Sequence, residues 1–387
     1  MVERLRILLP LALLLALLFA VPGGAQGSQS RDLPPDPDYR PKIISAHLSD
    51  PQRHNALLEA DLVIDAVDDD AVDLYEYRWN GATEGQTLSA DVESPTVSYA
   101  SIRPDSRYTL EVKAIDAHGN ASDWFEVWSG VTPGTPRVIV AGDSIASGYT
   151  RQWFTGDSVC TDSELSYGNE LTSAVAAGLP SAWAPEYINI AWAGAGAGEM
   201  LDGGPDSCGA THEAQVDQIE DLADDKSWNI VVITAGINST NWTDVIVDLT
   251  KDTAFSFTEA GDRAACDLAL HDKWNIGSRS ASITQNTRSA VDALSARTNA
   301  QLFWTGYYDI TGTELAPFWT PIGNECRVEM AEAIQGLHSA LQAGLSSDVT
   351  WVEIDDDVAT QLWAGWPHPN AQGHVTIGRA VAEAVNE

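Results

Sequence analysis

The sequence predicts an α/β protein whose parallel sheet is covered by helices on both faces, preceded by a small all-β sandwich. Two patterns in its 387 residues lead to this prediction. In residues 41–132, short runs rich in β-branched and aromatic residues alternate with Asp, Gly, Asn and Pro, which is typical of a sandwich. In residues 133–387, continuous apolar runs alternate with longer segments of helical spacing, which is typical of buried parallel strands and crossover helices.

The N-terminal segment has the pattern of a secretory signal peptide, predicted at residues 1–25. Arg4 and Arg6 precede an apolar run at 7–21, and small residues follow it. That run is shorter than the roughly 20 residues of a membrane-spanning helix, so we expect no integral membrane segment after signal cleavage. Residues 26–40, with several Ser, Asp and Pro, are predicted to be a linker. The protein is therefore expected to be secreted.

The composition argues against nucleic acid and anionic membrane surfaces as partners. The chain has 56 acidic and 21 basic residues and a formal net charge of -35, whereas phosphate groups are bound by Lys and Arg. Its four cysteines are an even number, which in an exported chain predicts two disulfides. The Cys and His spacings do not resemble a structural zinc site, so we expect neither a metal nor a cofactor.

Strands are expected in the first domain at residues 62–67, 74–79, 96–99, 108–115 and 125–131. The segment 102–122 resembles the later strands of fibronectin type III modules, and Tyr108 has the position of that family's corner tyrosine. The resemblance implies an immunoglobulin-like sandwich over residues 41–132. A Pro/Gly stretch at 132–136 follows and predicts the boundary with a second domain at 133–387.

Parallel strands are expected in the second domain at residues 138–141, 188–193, 230–235, 302–306 and 349–354. Sheets of this kind bind ligands at the carboxyl ends of their strands, so the residues after each run are candidates for chemistry. The first run is followed by Gly142-Asp143-Ser144. A serine at a strand-to-helix turn exposes its hydroxyl as a nucleophile does, although many serines there only cap the helix.

Further motifs follow later strands, in residues 189–196, 236–239 and 366–374. With Gly142-Asp143-Ser144 they resemble the SGNH (GDSL-type) hydrolases over residues 137–387, and among these the secreted actinobacterial esterases and lipases. The four residues that give this family its name correspond to Ser144, Gly194, Asn238 and His368. The resemblance implies a flavodoxin-like fold and metal-independent ester hydrolysis through a serine acyl-enzyme.

The resemblance also implies a role for each of these four residues. Ser144 would attack the ester carbonyl, and His368 would take its proton and return it to the leaving alcohol. The backbone N–H groups of Ser144 and Gly194 and the side-chain amide of Asn238 would bind the oxyanion. Glycine at position 194 allows the backbone to approach the substrate closely.

Alternatives remain for three of these assignments. Gly196 or Gly198 could supply the N–H instead of Gly194. His374 is a second candidate base, but its place in the following helix is more typical of a packing or capping residue. Asn238 also begins one of two neighbouring N-glycosylation sequons, and a glycan there would block the site. We predict the oxyanion role for Asn238 and regard the sequons as incidental.

The chain departs from the family pattern at two positions. Ser239 stands where the family commonly has Asp, and Gly365 stands where an Asp usually precedes the catalytic His by three residues. We therefore expect a main-chain carbonyl at or near Gly365, between Trp363 and Trp366, to orient His368, so that serine and histidine form a dyad. A displaced carboxylate would instead come from Asp355, Asp356 or Asp357.

The four cysteines lie in predicted loops of the second domain. Pairing Cys160 with Cys208, and Cys266 with Cys326, would join long loops on the active-site face of the sheet. Four cysteines allow three pairings, so other connectivities remain open at this point.

The predicted function is that of a secreted carboxylic ester hydrolase of the esterase or lipase type. One alternative is an O-deacetylase of polysaccharides, because fibronectin-like modules are common in secreted polysaccharide-active enzymes. An alternative of another class is an extracellular binding or adhesion protein on an inactive hydrolase fold, which only the missing Asp and Ser239 favour. Three tryptophans could line an acyl pocket or belong to the core: Trp192, Trp242 and Trp319.

Overall fold

The part of the chain that the structure describes contains two main groups of strands, together with helices. The structure is a computed structural model, and it describes residues 40–49, 59–68, 71–80, 85–91, 95–151, 158–162, 164–223, 227–242, 276–308, 324–354, 358 and 368–386. The predicted signal peptide and residues 26–39 of the predicted linker lie outside these ranges. Residues Arg40–Glu387 form one compact unit.

The N-terminal strands form two antiparallel sheets. They are β1 (Lys42–Ser49), β2 (Glu59–Val67), β3 (Val72–Trp79), β4 (Gln86–Ser89), β5 (Thr96–Ser98), β6 (Arg107–Asp116) and β7 (Phe125–Val131). One sheet has the order β1-β2-β5 and the other β4-β3-β6-β7. Side chains alternate along β6, so that Leu110, Val112 and Ala114 lie in a core to which both sheets contribute. The predicted immunoglobulin-like sandwich is confirmed.

Two strands of the sandwich were not expected from the sequence. A register shift between Ile43 and Ser45 breaks the alternation of β1, and β4 is short and mostly polar. Tyr108, near the start of β6, accepts a hydrogen bond from the backbone N–H of Arg103 at 3.2 Å. A corner tyrosine makes this kind of contact in immunoglobulin-like domains. The finer assignment to fibronectin type III stays a prediction.

The other main group of strands forms a parallel sheet. Its strands are β8 (Gly134–Gly142), β11 (Glu186–Asn189), β14 (Ser227–Thr234), β15 (Gln301–Thr305) and β16 (Val349–Val352). Two short antiparallel pairs are separate from this sheet: β9 (Thr150–Arg151) with β10 (Ser158–Val159), and β12 (Gly204–Pro205) with β13 (Thr211–His212). The five parallel strands have the order β11-β8-β14-β15-β16, which is 2-1-3-4-5 along the chain. This is the flavodoxin-like order, so the predicted fold class is confirmed.

Helices alternate with the strands of this sheet. Those described are α1 (Ser144–Ser147), α2 (Gly168–Ala177), α3 (Glu199–Asp202), α4 (Gln215–Leu222), α5 (Ile276–Arg297), α6 (Asn324–Gln342) and α7 (Ala371–Asn386). Short 3₁₀ turns occur at Ser181–Trp183 and Ile237–Thr240. β14 is buried along its whole length, as expected for a strand covered on both faces.

β11 ends at Asn189, earlier than the predicted end at residue 193. The side-chain carbonyl of Asn189 accepts a hydrogen bond from the backbone N–H of Ala191 at 3.0 Å. Backbone hydrogen bonds to β8 continue past this residue, from the N–H of Ile190 to Val140 at 2.9 Å and from the N–H of Trp192 to Gly142 at 3.2 Å. The apolar residues after Asn189 therefore stay bonded to β8 and lead into the loop that carries the first oxyanion candidate.

Only Thr132 and Pro133 separate the sandwich from the parallel sheet, and both are buried. Trp183, in the 3₁₀ turn after α2, is fully buried within the core of the sandwich. Its indole N–H donates to the backbone carbonyl of Ile102 at 2.8 Å. The predicted boundary at residue 133 thus falls in a packed junction, and the division into domains stays a prediction.

Candidate active site

Ser144 lies where β8 ends and the chain turns directly into α1. Gly142 has a φ of 120°, and a Cβ there would collide with the carbonyl oxygen of Thr234 in the neighbouring β14. Only glycine accepts both conditions. Ser144 is buried, with 6% of its surface exposed.

Both backbone polar groups of Gly142 are held by one side chain, Gln215. Oε1 of Gln215 accepts from the N–H of Gly142 at 2.5 Å, and Nε2 donates to its carbonyl at 2.9 Å. Gln215 is fully buried at the start of α4. The sequence analysis missed it, because no local pattern relates this glutamine to a glycine 73 positions earlier.

Asp143 caps α1 from a fully buried position. Its Oδ1 accepts from the N–H of Ile145 at 2.9 Å, and its Oδ2 accepts from the hydroxyl of Tyr307 at 2.6 Å. Burial raises the pKa of Asp143 to about 7, while these hydrogen bonds oppose the rise. The Tyr307 oxygen also accepts from the N–H of Ile237 at 3.1 Å. One phenol therefore connects the nucleophile turn with the turn after β14.

His368 lies beside Ser144, although 224 positions separate the two residues. Its Nε2 is 2.9 Å from Oγ of Ser144. The side chain of Asn370, two residues after the histidine, accepts from the N–H of Gly373 at 2.9 Å and so caps the start of α7. The ring of Tyr149 packs edge-on against the imidazole, with centroids 4.8 Å apart. A histidine in this position can take a proton from the serine hydroxyl.

The glycine-rich loop after β11 supplies one oxyanion candidate. Gly194 has a φ of 100°, a backbone conformation that favours glycine. The alternative Gly196 donates its N–H to Oε2 of Glu199 at 3.1 Å. Since that N–H already has an acceptor, the geometry favours Gly194 over Gly196. Gly198 lies farther along, at the start of α3.

Asn238 lies in the 3₁₀ turn after β14, and both ends of its amide are hydrogen-bonded. Nδ2 donates to the carbonyl of Ala195 at 2.9 Å, and Oδ1 accepts from the indole N–H of Trp242 at 2.8 Å. Ala195 directly follows Gly194, so the first of these bonds joins the segments of two oxyanion candidates. A half-buried amide with both ends engaged is a poor acceptor for a glycan, which needs an exposed asparagine.

Ser239, which replaces the acidic residue of the family pattern, is also engaged. Its Oγ accepts from the backbone N–H of Ala197 at 3.2 Å. Its carbonyl accepts from Nη1 of Arg279 at 2.9 Å. The serine therefore still ties the turn after β14 to the glycine-rich loop.

His374, the second candidate base, is buried in α7 and 2% exposed. Neither of its ring nitrogens has a hydrogen-bond partner among the residues that the structure describes. Burial, together with the charge of His368, lowers the pKa of His374 to about 3. A neutral, buried imidazole fits the packing role rather than that of the base.

Cys160 and Cys208 form a disulfide, as predicted. Several other predicted residues lie outside the described part of the chain: Cys266, Asp355, Asp356, Asp357, Trp319, Trp363, Gly365 and Trp366, together with the side chain of Cys326. The second disulfide and the acceptor that faces Nδ1 of His368 therefore stay predictions.

Two of the three tryptophans considered for an acyl pocket are described. Trp192 is 1% exposed and stacks on the ring of His212 with centroids 5.2 Å apart, as a core residue does. Trp242 instead lies near the imidazole of His368, with centroids 6.3 Å apart. Within the described residues, no group of three or more His, Cys, Asp or Glu side chains could hold a metal ion. In the same part of the chain, no helix is long and apolar enough to cross a membrane.

Sequence analysis missed Tyr307, and it considered Trp242 only for an acyl pocket and not as a partner of Asn238. Tyr307 follows β15 closely, so the rule that chemistry lies after the carboxyl ends of strands could have identified it. Trp242 stands beyond the end of the 3₁₀ turn that carries Asn238, after Asn241 with a φ of 57°, so no helical spacing in the sequence relates the two. The sequence around Tyr307 does not indicate its hydrogen bond to Asp143, and the sequence around Trp242 does not indicate its hydrogen bond to Asn238.

The sequence matches no protein-family model and no curated protein. Solved structures similar to it include the extracellular lipase of Streptomyces rimosus, with 15% identity, a TM-score of 0.45 and coverage of 65% of this chain and 100% of the lipase. A carbohydrate acetylesterase from Sinorhizobium meliloti has 15% identity, a TM-score of 0.37 and coverage of 65% and 98%. A family two carbohydrate esterase from Clostridium thermocellum, in complex with cellohexaose, has 13% identity, a TM-score of 0.32 and coverage of 82% and 86%. TM-scores and identities of this size do not assign a function to the chain.

Proposed function

We propose that this protein is a carboxylic ester hydrolase that works through an acyl-enzyme on Ser144. The observation that carries the proposal is the distance of 2.9 Å between Oγ of Ser144 and Nε2 of His368. A neutral imidazole with its proton on Nδ1 can accept the serine proton while Oγ attacks an ester carbonyl. The imidazolium then protonates the leaving alcohol, and water attacks the acyl-enzyme in the same way to release the acid.

The tetrahedral intermediates of this reaction need donors for their oxyanion. The proposed donors are the backbone N–H groups of Ser144 and Gly194 and Nδ2 of Asn238. The hydrogen bond from Asn238 to Ala195 supports this assignment, because it holds the amide beside the Gly194 turn. Loss of one such donor typically costs roughly 2.7–4 kcal/mol of transition-state stabilisation.

The remaining parts of the proposal rest on the sequence. A main-chain carbonyl at or near Gly365 is proposed to accept from Nδ1 of His368, in place of the usual carboxylate. We also propose that the protein is secreted, since a signal-peptide pattern opens the chain and disulfides such as Cys160–Cys208 form in oxidising compartments.

The test is the variant Ser144→Ala, assayed with p-nitrophenyl butyrate. We expect kcat to fall by at least about 1000-fold, because no acyl-enzyme can form without the hydroxyl. The matched control is Ser147→Ala, which removes the other buried serine of α1, and it should keep most of the activity. Turnover by a folded Ser144→Ala protein, judged by its circular dichroism, would disprove the mechanism.

The substrate class is tested by comparing p-nitrophenyl esters of increasing acyl length with acetylated xylan. We propose acyl esters of the esterase or lipase type as the preferred substrates, with polysaccharide O-acetyl groups as the alternative. A fluorophosphonate probe should label Ser144 in either case, because it reacts with an activated serine. Absence of both label and turnover would instead favour the binding or adhesion protein.

A further inference from the structure

We propose that Trp242 is a positioning residue that fixes the oxyanion-binding amide of Asn238. The inference deepens the proposed function and rests on it. Trp242 is 8% exposed, and its indole N–H donates to Oδ1 of Asn238 at 2.8 Å. It therefore holds the side chain that is proposed to stabilise the transition state.

The two hydrogen bonds of the Asn238 amide define its orientation. An indole nitrogen only donates and a backbone carbonyl only accepts, so Oδ1 must face Trp242 and Nδ2 must face Ala195. A flipped amide would place two donors together at Trp242 and two acceptors together at Ala195. Because Nδ2 carries two hydrogens and Ala195 needs only one, the second can point to a substrate oxygen.

Trp242 also lies beside the proposed base. Its ring is nearly perpendicular to the imidazole of His368, with centroids 6.3 Å apart and an interplanar angle of 71°. Removing the whole ring would therefore disturb the base and the oxyanion donor together. A variant that keeps an aromatic ring but lacks the N–H isolates the effect on Asn238.

The experiment is a double-mutant cycle with Trp242→Phe and Asn238→Ala, assayed with p-nitrophenyl butyrate. We expect Trp242→Phe to lower kcat about 10- to 100-fold, with KM changed less than about threefold, because the oxyanion exists only in the transition state. If Trp242 acts through Asn238, the double variant is no slower than Asn238→Ala alone. Equal losses from Trp242→Phe with and without the Asn238 side chain would overturn the inference.

The chain offers a matched control in Trp228→Phe. Trp228 is 5% exposed, and its indole N–H donates to the side-chain amide oxygen of Gln301 at 3.0 Å, as Trp242 does to Asn238. It lies at the amino end of β14, whereas Asn238 follows the carboxyl end. Trp228→Phe should lower the unfolding temperature by about as much as Trp242→Phe does, and it should leave kcat unchanged. A comparable loss of kcat in this control would show that Trp242→Phe reports general destabilisation.

Labelling with a fluorophosphonate separates failure of the inference from failure of the proposed function. If the probe labels Ser144 and the losses of kcat in the double-mutant cycle are additive, the hydrolase mechanism is supported and the role of Trp242 is rejected. Absence of label in the wild-type protein would reject both. If Trp242→Phe does not fold, benzothienylalanine at position 242 keeps the shape of the ring without its N–H. The same losses in the cycle are expected from that variant.

Discussion

Two ionisable side chains lie buried in the turn before Ser144 and in the helix after His368, and burial shifts each toward its neutral form. The pKa of Asp143 is raised to about 7, and the pKa of His374 is lowered to about 3. The unfolded chain releases the Asp143 proton at lower pH than the folded protein, so this group costs stability as pH rises from about 4 to 7. His374 has the opposite effect on stability. Its imidazole binds a proton in the unfolded chain at pH values where it stays neutral in the folded protein.

We predict that His374 makes the protein sensitive to acid. Its contribution to stability is present above pH 6.5 and is lost as pH falls from 6.5 toward 3, by at most about 1.4 kcal/mol per pH unit for one proton. Between pH 7 and pH 5, the unfolding temperature of His374→Leu should rise relative to that of the wild-type protein, because the opposite effect of Asp143 is the same in both proteins. The control is His47→Leu in β1, which replaces an exposed histidine and is measured at the same two pH values. An unchanged pH dependence in His374→Leu would contradict the prediction.

The disulfide between Cys160 and Cys208 joins two loops that contact the candidate active site. The carbonyl of Cys160 accepts from Oγ of Ser147 in α1 at 3.1 Å. Next to Cys208, the N–H of Ser207 donates to the carbonyl of Ala193 at 2.8 Å. The bridge therefore links the loop bound to the nucleophile helix with the loop that lies against the Gly194 turn.

We predict that the variant Cys160→Ser/Cys208→Ser is less stable by about 2–4 kcal/mol, because the bridge closes a long loop and restricts the unfolded chain. The bridged residues are 48 positions apart. The measurement is urea unfolding monitored by tryptophan fluorescence. Ser147→Ala, which removes one hydrogen bond to the same loop, should cost only about 1 kcal/mol. Equal unfolding midpoints for the double variant and the wild-type protein would contradict a stabilising role.

At the scale of the whole molecule, the sandwich and the parallel sheet share a packed junction. Trp183 belongs to the segment between α2 and β11, yet its side chain completes the core of the sandwich. Leu179 packs against the cores of both parts. The sandwich therefore covers apolar surface that the parallel-sheet part would otherwise expose to water.

We predict that a fragment of residues 133–387 hydrolyses small esters, since no candidate catalytic residue precedes Gly142, but unfolds at a lower temperature than the full chain. Trp183→Ser should cost the full chain about 3–5 kcal/mol, as expected for a buried aromatic residue. The same substitution should have little effect on the fragment, where the indole is already exposed. A folded but inactive fragment, or equal costs in both proteins, would contradict this account of the junction.

The sequence by itself predicted much of the fold and the meeting of Ser144 with His368. Buried parallel strands are continuous apolar runs, and these can be read without knowing their neighbours. Because the carboxyl ends of such strands lie at one edge of the sheet, motifs that follow different strands can be expected to converge. Strand bounds were less well predicted: β11 ends at Asn189, although Ile190 and Trp192 still donate to the backbone of β8.

Only the tertiary structure decided which groups support the site and how the two parts of the chain join. Three hydrogen bonds illustrate this. They join Gln215 to Gly142, Tyr307 to Asp143 and Trp183 to Ile102, which are 73, 164 and 81 positions apart. A periodic pattern reports which face of an element is buried, but it does not report which distant polar group lies opposite. Those partners are fixed by packing, because a buried donor or acceptor left without a partner costs free energy and the fold must bring one to it.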